Sequence, residues 1–236
     1  MKQASTTPHP EEAHKSHRAN WLRAAVLGVD DGIVSTSSLM LGVTAAAASN
    51  SAILIAGVAG LTAGALSMAV GEYVSVSSQR DSERADIDIE TRSIAANEKE
   101  ELAELAAIYE GRGLDPELAK TVAEKLHAHD AVAAHLRDEL GIDHEALANP
   151  LQASLASATA FSIGALVPIL AAVFATNAAS TLAIIITSLL ALAVSGAVGA
   201  ILGGGHRLRA AARVFFGGGL AMAITALIGH LIGSTL

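Results

Sequence analysis

The chain contains no cysteine among its 236 residues. That excludes disulfides, thiolate metal sites and thiol redox chemistry together. Charge is also scarce, at 16% of residues against 52% hydrophobic, and mean hydropathy is strongly positive. An ordinary soluble domain does not have this profile. The opening MKQASTTPHPEEAHKSHRAN lacks the basic-then-apolar order and prompt cleavage site of a signal peptide. It reads as a short flexible tail, residues 1–20, kept on the mature protein. The paired Glu-x-x-His motifs of di-iron enzymes are missing too, since Glu124 precedes His127 without a counterpart elsewhere. An enzyme is not expected.

What is present is clustered. A spanning helix needs about 20 mostly apolar residues, and candidates run roughly over 22–47, 52–77, 152–175, 179–203 and 211–235. Only the first two hold acids: Asp30, Asp31 and Glu72. Between Arg80 and Ala148 stand 18 acids against 8 bases, a net of −10. Such a block argues for cations as partners and against nucleic acid. Placing the N-terminus and the 80–148 block in the cytoplasm puts all 15 Lys and Arg residues inside or at the inner boundary. The C-terminus then falls outside, as do the turns at Ala48-Ser49-Asn50 and Thr176-Asn177. The fold expected is an all-α integral membrane protein of five transmembrane helices. A cytoplasmic helical domain, 80–148, is inserted between helices 2 and 3, separating 21–79 from 149–236.

Local signals fill in the insert. No Gly or Pro interrupts 78–94, so the second span is expected to continue beyond the membrane as one long helix, with Ala95-Ala96-Asn97 a place for a break. Gly111 and Gly113 suit a helix end, and Asp115-Pro116 suits an N-cap with the first helical residue. Leu102, Leu105 and Ile108 share one face, and Leu118, Val122 and Leu126 the next. Asn149-Pro150 closes the block. Small residues such as Gly57, Gly60, Gly64, Gly196 and Gly199 permit close helix approach, within one chain or between two in a homodimer.

Two constellations carry chemistry. A carboxylate in mid-membrane costs a few kcal/mol and faces a cavity, a partner or an ion path. By residue count Asp31 and Glu72 reach similar depth, and no Lys or Arg inside the membrane is available to neutralise them. Met68 sits one turn from Glu72, adding a soft thioether to carboxylate oxygens, which suits Fe²⁺ or Mn²⁺. Asp30 is read either as an interface residue or as the cap of a break near Gly28 or Gly32. In the acidic block, Glu101 and Glu104 are spaced i, i+3, and Glu90 lies three turns earlier on an unbroken helix. His135 with Glu139 forms an i, i+4 pair, and His127 with Asp130 another possible one. Brought together by a helical hairpin these bind divalent metal; held apart they are a solvated acidic face.

The segments LGVDDGIVSTSSLMLGV, GALSMAVGEYVSVSSQRDSERAD, ELAELAAIYEGRGL and AHDAVAAHLRDELGI occur in this order. They resemble the vacuolar iron transporter family, from about Trp21 to the C-terminus. The resemblance implies five spans, a homodimer, a cytoplasmic metal-binding domain, and Fe²⁺ export from the cytosol coupled to inward proton flow. Fe²⁺ and related divalent ions would be substrates, and no cofactor is implied. By position, Asp31, Met68 and Glu72 would line the ion pathway, and Glu90, Glu101, Glu104 and Glu139 would ligate metal in the cytoplasmic domain. The chain departs from the family with Ser93 where many members have a second Glu, and with His135-Leu136 where some have Met-Met. His135 can substitute as a ligand. A Mn²⁺ or Ca²⁺ transporter of the same fold and a membrane-anchored metal buffer without transport are the alternatives. The absence of a targeting segment suits a prokaryotic plasma membrane.

Overall fold

The computed structural model describes residues 19–46, 49–142, 148–175 and 179–235. The tail to residue 18, Ala48 and the Thr176-Asn177 turn, all assigned a side of the membrane above, lie outside the described residues. Among those described every regular element is helical. Six helices follow in order: α1 (Ala19–Ala45), α2 (Asn50–Gly111), α3 (Pro116–His135), α4 (Pro150–Phe174), α5 (Ser180–Gly203) and α6 (Arg207–Gly233). A π-helical turn, Leu136–Leu140, continues α3. Five helices, all but α3, are long and apolar enough to cross a membrane. The chain divides into two compact units, one of residues up to Glu72 and from Gln152 onward, the other Tyr73–Leu151. α2 contributes to both.

In the first unit, α1 sorts its residues by helical period. Gly28, Gly32, Ile33, Thr36, Ser37 and Met40 are buried, whereas Leu27, Asp31, Ser35 and Leu39, spaced by four, are exposed. The core contains Ile33, Met40, Leu41, Ile53, Ile169, Ile184, Leu192 and Met222. α5 buries a strict every-fourth stripe of Ser180, Ile184, Ser188, Leu192, Gly196 and Ala200, and packs on α1 and α6. Several hydroxyls within the spans are satisfied locally: Ser35, Thr44, Thr62, Ser162 and Thr187 each donate to the carbonyl four residues back. Where no water is present, this removes the cost of an unpaired hydroxyl.

α1 and α4 approach each other closely. A methyl on Gly32 would overlap the Phe161 carbonyl oxygen, and one on Gly164 would overlap that of Val29. Glycine at both positions lets the two backbones touch. Phe161, 2% exposed, puts its ring where a side chain on Gly64 would stand, so it also locks α2 against this crossing. After α5, Gly204 takes the left-handed conformation (φ 79°) and the chain turns into α6.

The second unit is a helical hairpin. The α2 portion is interrupted at Asn97 (φ −139°, ψ 47°) and ends at Gly111. Asp115 caps α3, its carboxylate accepting from the Leu118 amide at 3.1 Å, with Pro116 in the first turn. Leu105, Ala123 and Ala134 form the core, joined by Leu102, Ala106, Tyr109 and Leu126. The inner face of α3 differs from the one expected. Ala119 and Ala123 are fully buried while Leu118 is 46% exposed. Small alanines let α3 close on α2 without the larger leucine between them.

Candidate metal centre

Within the hairpin unit, one ligand atom each from Glu90, His135 and Glu139 lies within 4.8 Å of the others. His135 Nδ1 is 3.0 Å from Glu90 Oε1, 3.5 Å from Glu139 Oε2 and 4.0 Å from Glu101 Oε2. Two donors each ~2.1 Å from a shared ion sit roughly 3.0–3.4 Å apart, which the first distance fits and the second exceeds slightly. The His135 ring is wholly buried and the Glu90 side chain nearly so, with Glu101 and Glu139 more open. Neither nitrogen of His135 nor Glu90 Oε1 makes a hydrogen bond of acceptable geometry. The donors converge on common space at ion-pair distances without hydrogen-bonding one another. Orphaned buried polar atoms of this kind are costly unless something occupies that space.

Electrostatics agree. Burial raises the Glu90 carboxyl above the usual range, and the Glu139 charge raises it further. His135 opposes this, while Glu101 and Glu104 add to it. Glu104 thus acts on Glu90 through its charge, but it is exposed and stands outside the convergent set. A cation among these groups relieves the repulsion.

The positions of His135 and Glu139 are fixed by their neighbour Asp138. Tyr109 Oη donates to its carboxylate at 2.6 Å, and Arg112 Nη1 at 2.6 Å. Arg112 Nη2 also donates to the Asp138 carbonyl at 2.9 Å. Burial alone would raise the Asp138 carboxyl, but the Tyr109, Arg112 and Arg137 bonds outweigh it and hold it at about 2. This clamp spans the end of α2 and the π-helical turn, a distortion frequent at functional sites. The expected His127–Asp130 pair does not form. Asp130 leaves helical geometry (φ −159°, ψ 98°) and caps the following segment, accepting from the Ala133 amide at 2.9 Å.

The membrane acids separate. Asp31 and Met68 line one pocket of about 200 Å³ with Ser35, Leu39, Gly60, Gly64, Ser67 and Phe161. No basic residue lines it. Glu72, half-buried one turn further along α2, is not part of that lining. Asp30 faces the other way, into a larger cavity of about 620 Å³ with His206, Arg209 and Arg213. α1 runs unbroken past it, so Asp30 is not the cap of a break. The role of Phe161 in this pocket had no signal in the sequence, because it arises from the α1–α4 crossing.

Comparisons with known proteins give the family of the chain. The family model described as "VIT family" matches residues 22–230. The "Vacuolar iron transporter" of Acanthamoeba castellanii is 46% identical over 223 residues, covering 93% of this chain and 82% of that protein. "Vacuolar iron transporter homolog 5" of Oryza sativa subsp. japonica is 42% identical, covering 91% and 82%. "Vacuolar iron transporter homolog 2" of Arabidopsis thaliana is 39% identical, covering 92% and 87%. With the family model spanning nearly its whole length and relatives this similar, the chain belongs to the VIT family.

Proposed function

We propose that this protein is a membrane transporter, not an enzyme, that moves Fe²⁺ out of the cytosol in exchange for protons, with Mn²⁺ as a related substrate. The observation that carries this reading is the Asp31–Met68 pocket. A carboxylate and a thioether face one cavity between helices of membrane length, with no cation beside them. A borderline divalent ion suits that donor pair. Membership of a family whose relatives are named iron transporters points the same way.

In this reading the Tyr73–Leu151 unit lies in the cytosol and collects metal at Glu90, Glu101, His135 and Glu139, with Glu104 adding field. The ion enters the membrane near Glu72 and is bound, partly dehydrated, by Asp31 and Met68. Protons arriving from the far side compete for the same carboxylates and release it. Asp31 is exposed on the surface of its own chain. A carboxylate facing lipid tails is unfavourable, and a second copy of the chain covers it in a homodimer.

The test is flux in proteoliposomes. Asp31→Asn is expected to cut Fe²⁺ transport about 100-fold and Glu72→Gln about 10-fold, on the order of 3 and 1.4 kcal/mol. Metal binding by the Glu90–His135–Glu139 cluster should persist in both variants. Wild-type flux in Asp31→Asn refutes the pathway.

A further inference from the structure

The His135 ring presents a problem that the carboxylates alone do not solve. For Nδ1 to ligate metal, its lone pair must be free and the ring proton must sit on Nε2. Glu90 Oε1 and Glu139 Oε2, at 3.0 and 3.5 Å, draw the proton to Nδ1 instead. An acceptor at the opposite nitrogen is needed to hold the ligating tautomer, as the outer partners of metal-bound histidines usually do. Nε2 of His135 is buried with no partner in the structure.

His127 is the group in place to supply that acceptor. Its ring centre is 5.8 Å from that of His135, with the planes at 79°. Two imidazoles joined by one N–H···N bond put their centres roughly 5 Å apart, so a small adjustment suffices. Nδ1 of His127 is itself buried and unpartnered. Its other nitrogen, Nε2, is 3.6 Å from Glu98 Oε1, whose side chain is 76% exposed and free to turn towards it. The break at Asp130 re-aims the helix between the two histidines, which eight residues of continuous helix would hold about 12 Å apart along its axis.

We propose that Glu98, His127 and His135 form a relay that fixes the His135 ligand nitrogen. The metal centre thereby becomes selective for ions that favour nitrogen, such as Co²⁺, Ni²⁺, Zn²⁺ and Fe²⁺, over Mn²⁺. His135 is the selectivity ligand and His127 its positioning residue. Carboxylates alone favour the borderline ions less strongly than a site with imidazole does. The inference rests on reading Glu90, His135 and Glu139 as a metal site, and the experiment separates the two.

Full-length protein in detergent is titrated with CoCl₂, following the visible Co²⁺ bands, and with MnCl₂ in competition. His135→Ala should lower the Co²⁺-over-Mn²⁺ preference tenfold or more. His127→Ala should lower Co²⁺ affinity roughly tenfold and alter the bands, the scale expected for an outer partner. His127→Gln, whose amide oxygen can accept from His135, should restore both. The Gln variant also controls for packing, because a purely structural role would not return the bands. If Glu90→Gln abolishes the bands while His127→Ala leaves affinity and spectrum unchanged, the metal site stands and the relay is overturned. If His135→Ala keeps the wild-type preference, the selectivity is overturned. If the wild type shows no Co²⁺ bands, the metal-site reading itself has failed, and the relay with it.

Discussion

Each unit of the chain puts carboxylate beside a metal-compatible donor, but the two are built differently. In the membrane unit, Asp31 and Met68 meet across a pocket made by close backbone contact, and polar bonds to the Asp31 side chain play little part. In the hairpin unit, His135 and Glu139, which meet Glu90, are held by a clamp of charged hydrogen bonds around Asp138. One site is shaped by glycine and an aromatic ring, the other by ion pairing. Lipid accounts for the difference: it provides no hydrophobic drive between helices, so small residues and close packing must do the work.

The largest expected effect tests the packing side. Gly32→Val forces two methyls into the Phe161 carbonyl and should cost roughly 4 kcal/mol or more. The folded protein should disappear from detergent extracts as judged by size-exclusion chromatography. Gly71→Ala, where nothing lies within 4 Å, is the matched control and should extract normally. If both variants extract alike, the α1–α4 contact does not define the membrane unit.

Next in size is Glu90→Gln, which tests the electrostatic side. A raised carboxyl means the charged form is unfavourable in the fold. Its cost is present above the raised value and fades as pH falls through it, so at neutral pH the neutral Gln removes it. The metal-free variant should therefore melt at or above the wild-type temperature. Added Co²⁺ or Fe²⁺ should no longer shift the melt. Loss of stability together with metal binding would mean that Glu90 is structural.

These variants also show what could be read from residues in order. The Asp115 cap, the Gly111 end and the five spans are local features, set by residue type within a turn or two. Helical spacing pairs His135 with Glu139 but leaves open whether a hairpin brings Glu90 to them or leaves a solvated acidic face. The larger ligand set is implied only by the family resemblance. The breaks at Asn97 and Asp130 were less visible, because neither is marked by Gly or Pro. The Ala95-Ala96-Asn97 stretch offers a place for a break, whereas Asp130, by spacing a possible partner for His127, is instead a cap. Gly32, Gly164 and Phe161 meet only through a crossing of helices more than 120 residues apart, which no local pattern encodes.

Asp138→Asn is a mid-sized effect on the clamp. The depressed carboxyl, about 2 against an ordinary 3.8, corresponds to ~2 kcal/mol favouring the fold. That contribution is complete above pH 4 and is lost as pH falls towards 2. Hydrogen exchange of the amides around 131–142 at neutral pH should accelerate by roughly 10- to 30-fold in the variant, the equivalent of about 2 kcal/mol. The amides of α5 and α6 should be unaffected. Equal acceleration in both regions would show that the two units do not have separate local stabilities.

The smallest effect is Met68→Leu, and it bears most directly on whether the two sites sort metals differently. Met68 is half-buried and makes no hydrogen bond, so its place in the pocket rests on shape and on the sulfur. Leucine keeps nearly the same volume, and such swaps usually cost less than about 1.5 kcal/mol of stability. Only the soft thioether is removed, which favours Fe²⁺ over harder ions. Fe²⁺ flux in proteoliposomes should fall roughly fivefold, about 1 kcal/mol, with Mn²⁺ flux falling less. A proportional fall in both would mean that Met68 only shapes the pocket. Discrimination among metals would then rest with the imidazole-bearing cluster, and the membrane site would select by charge alone.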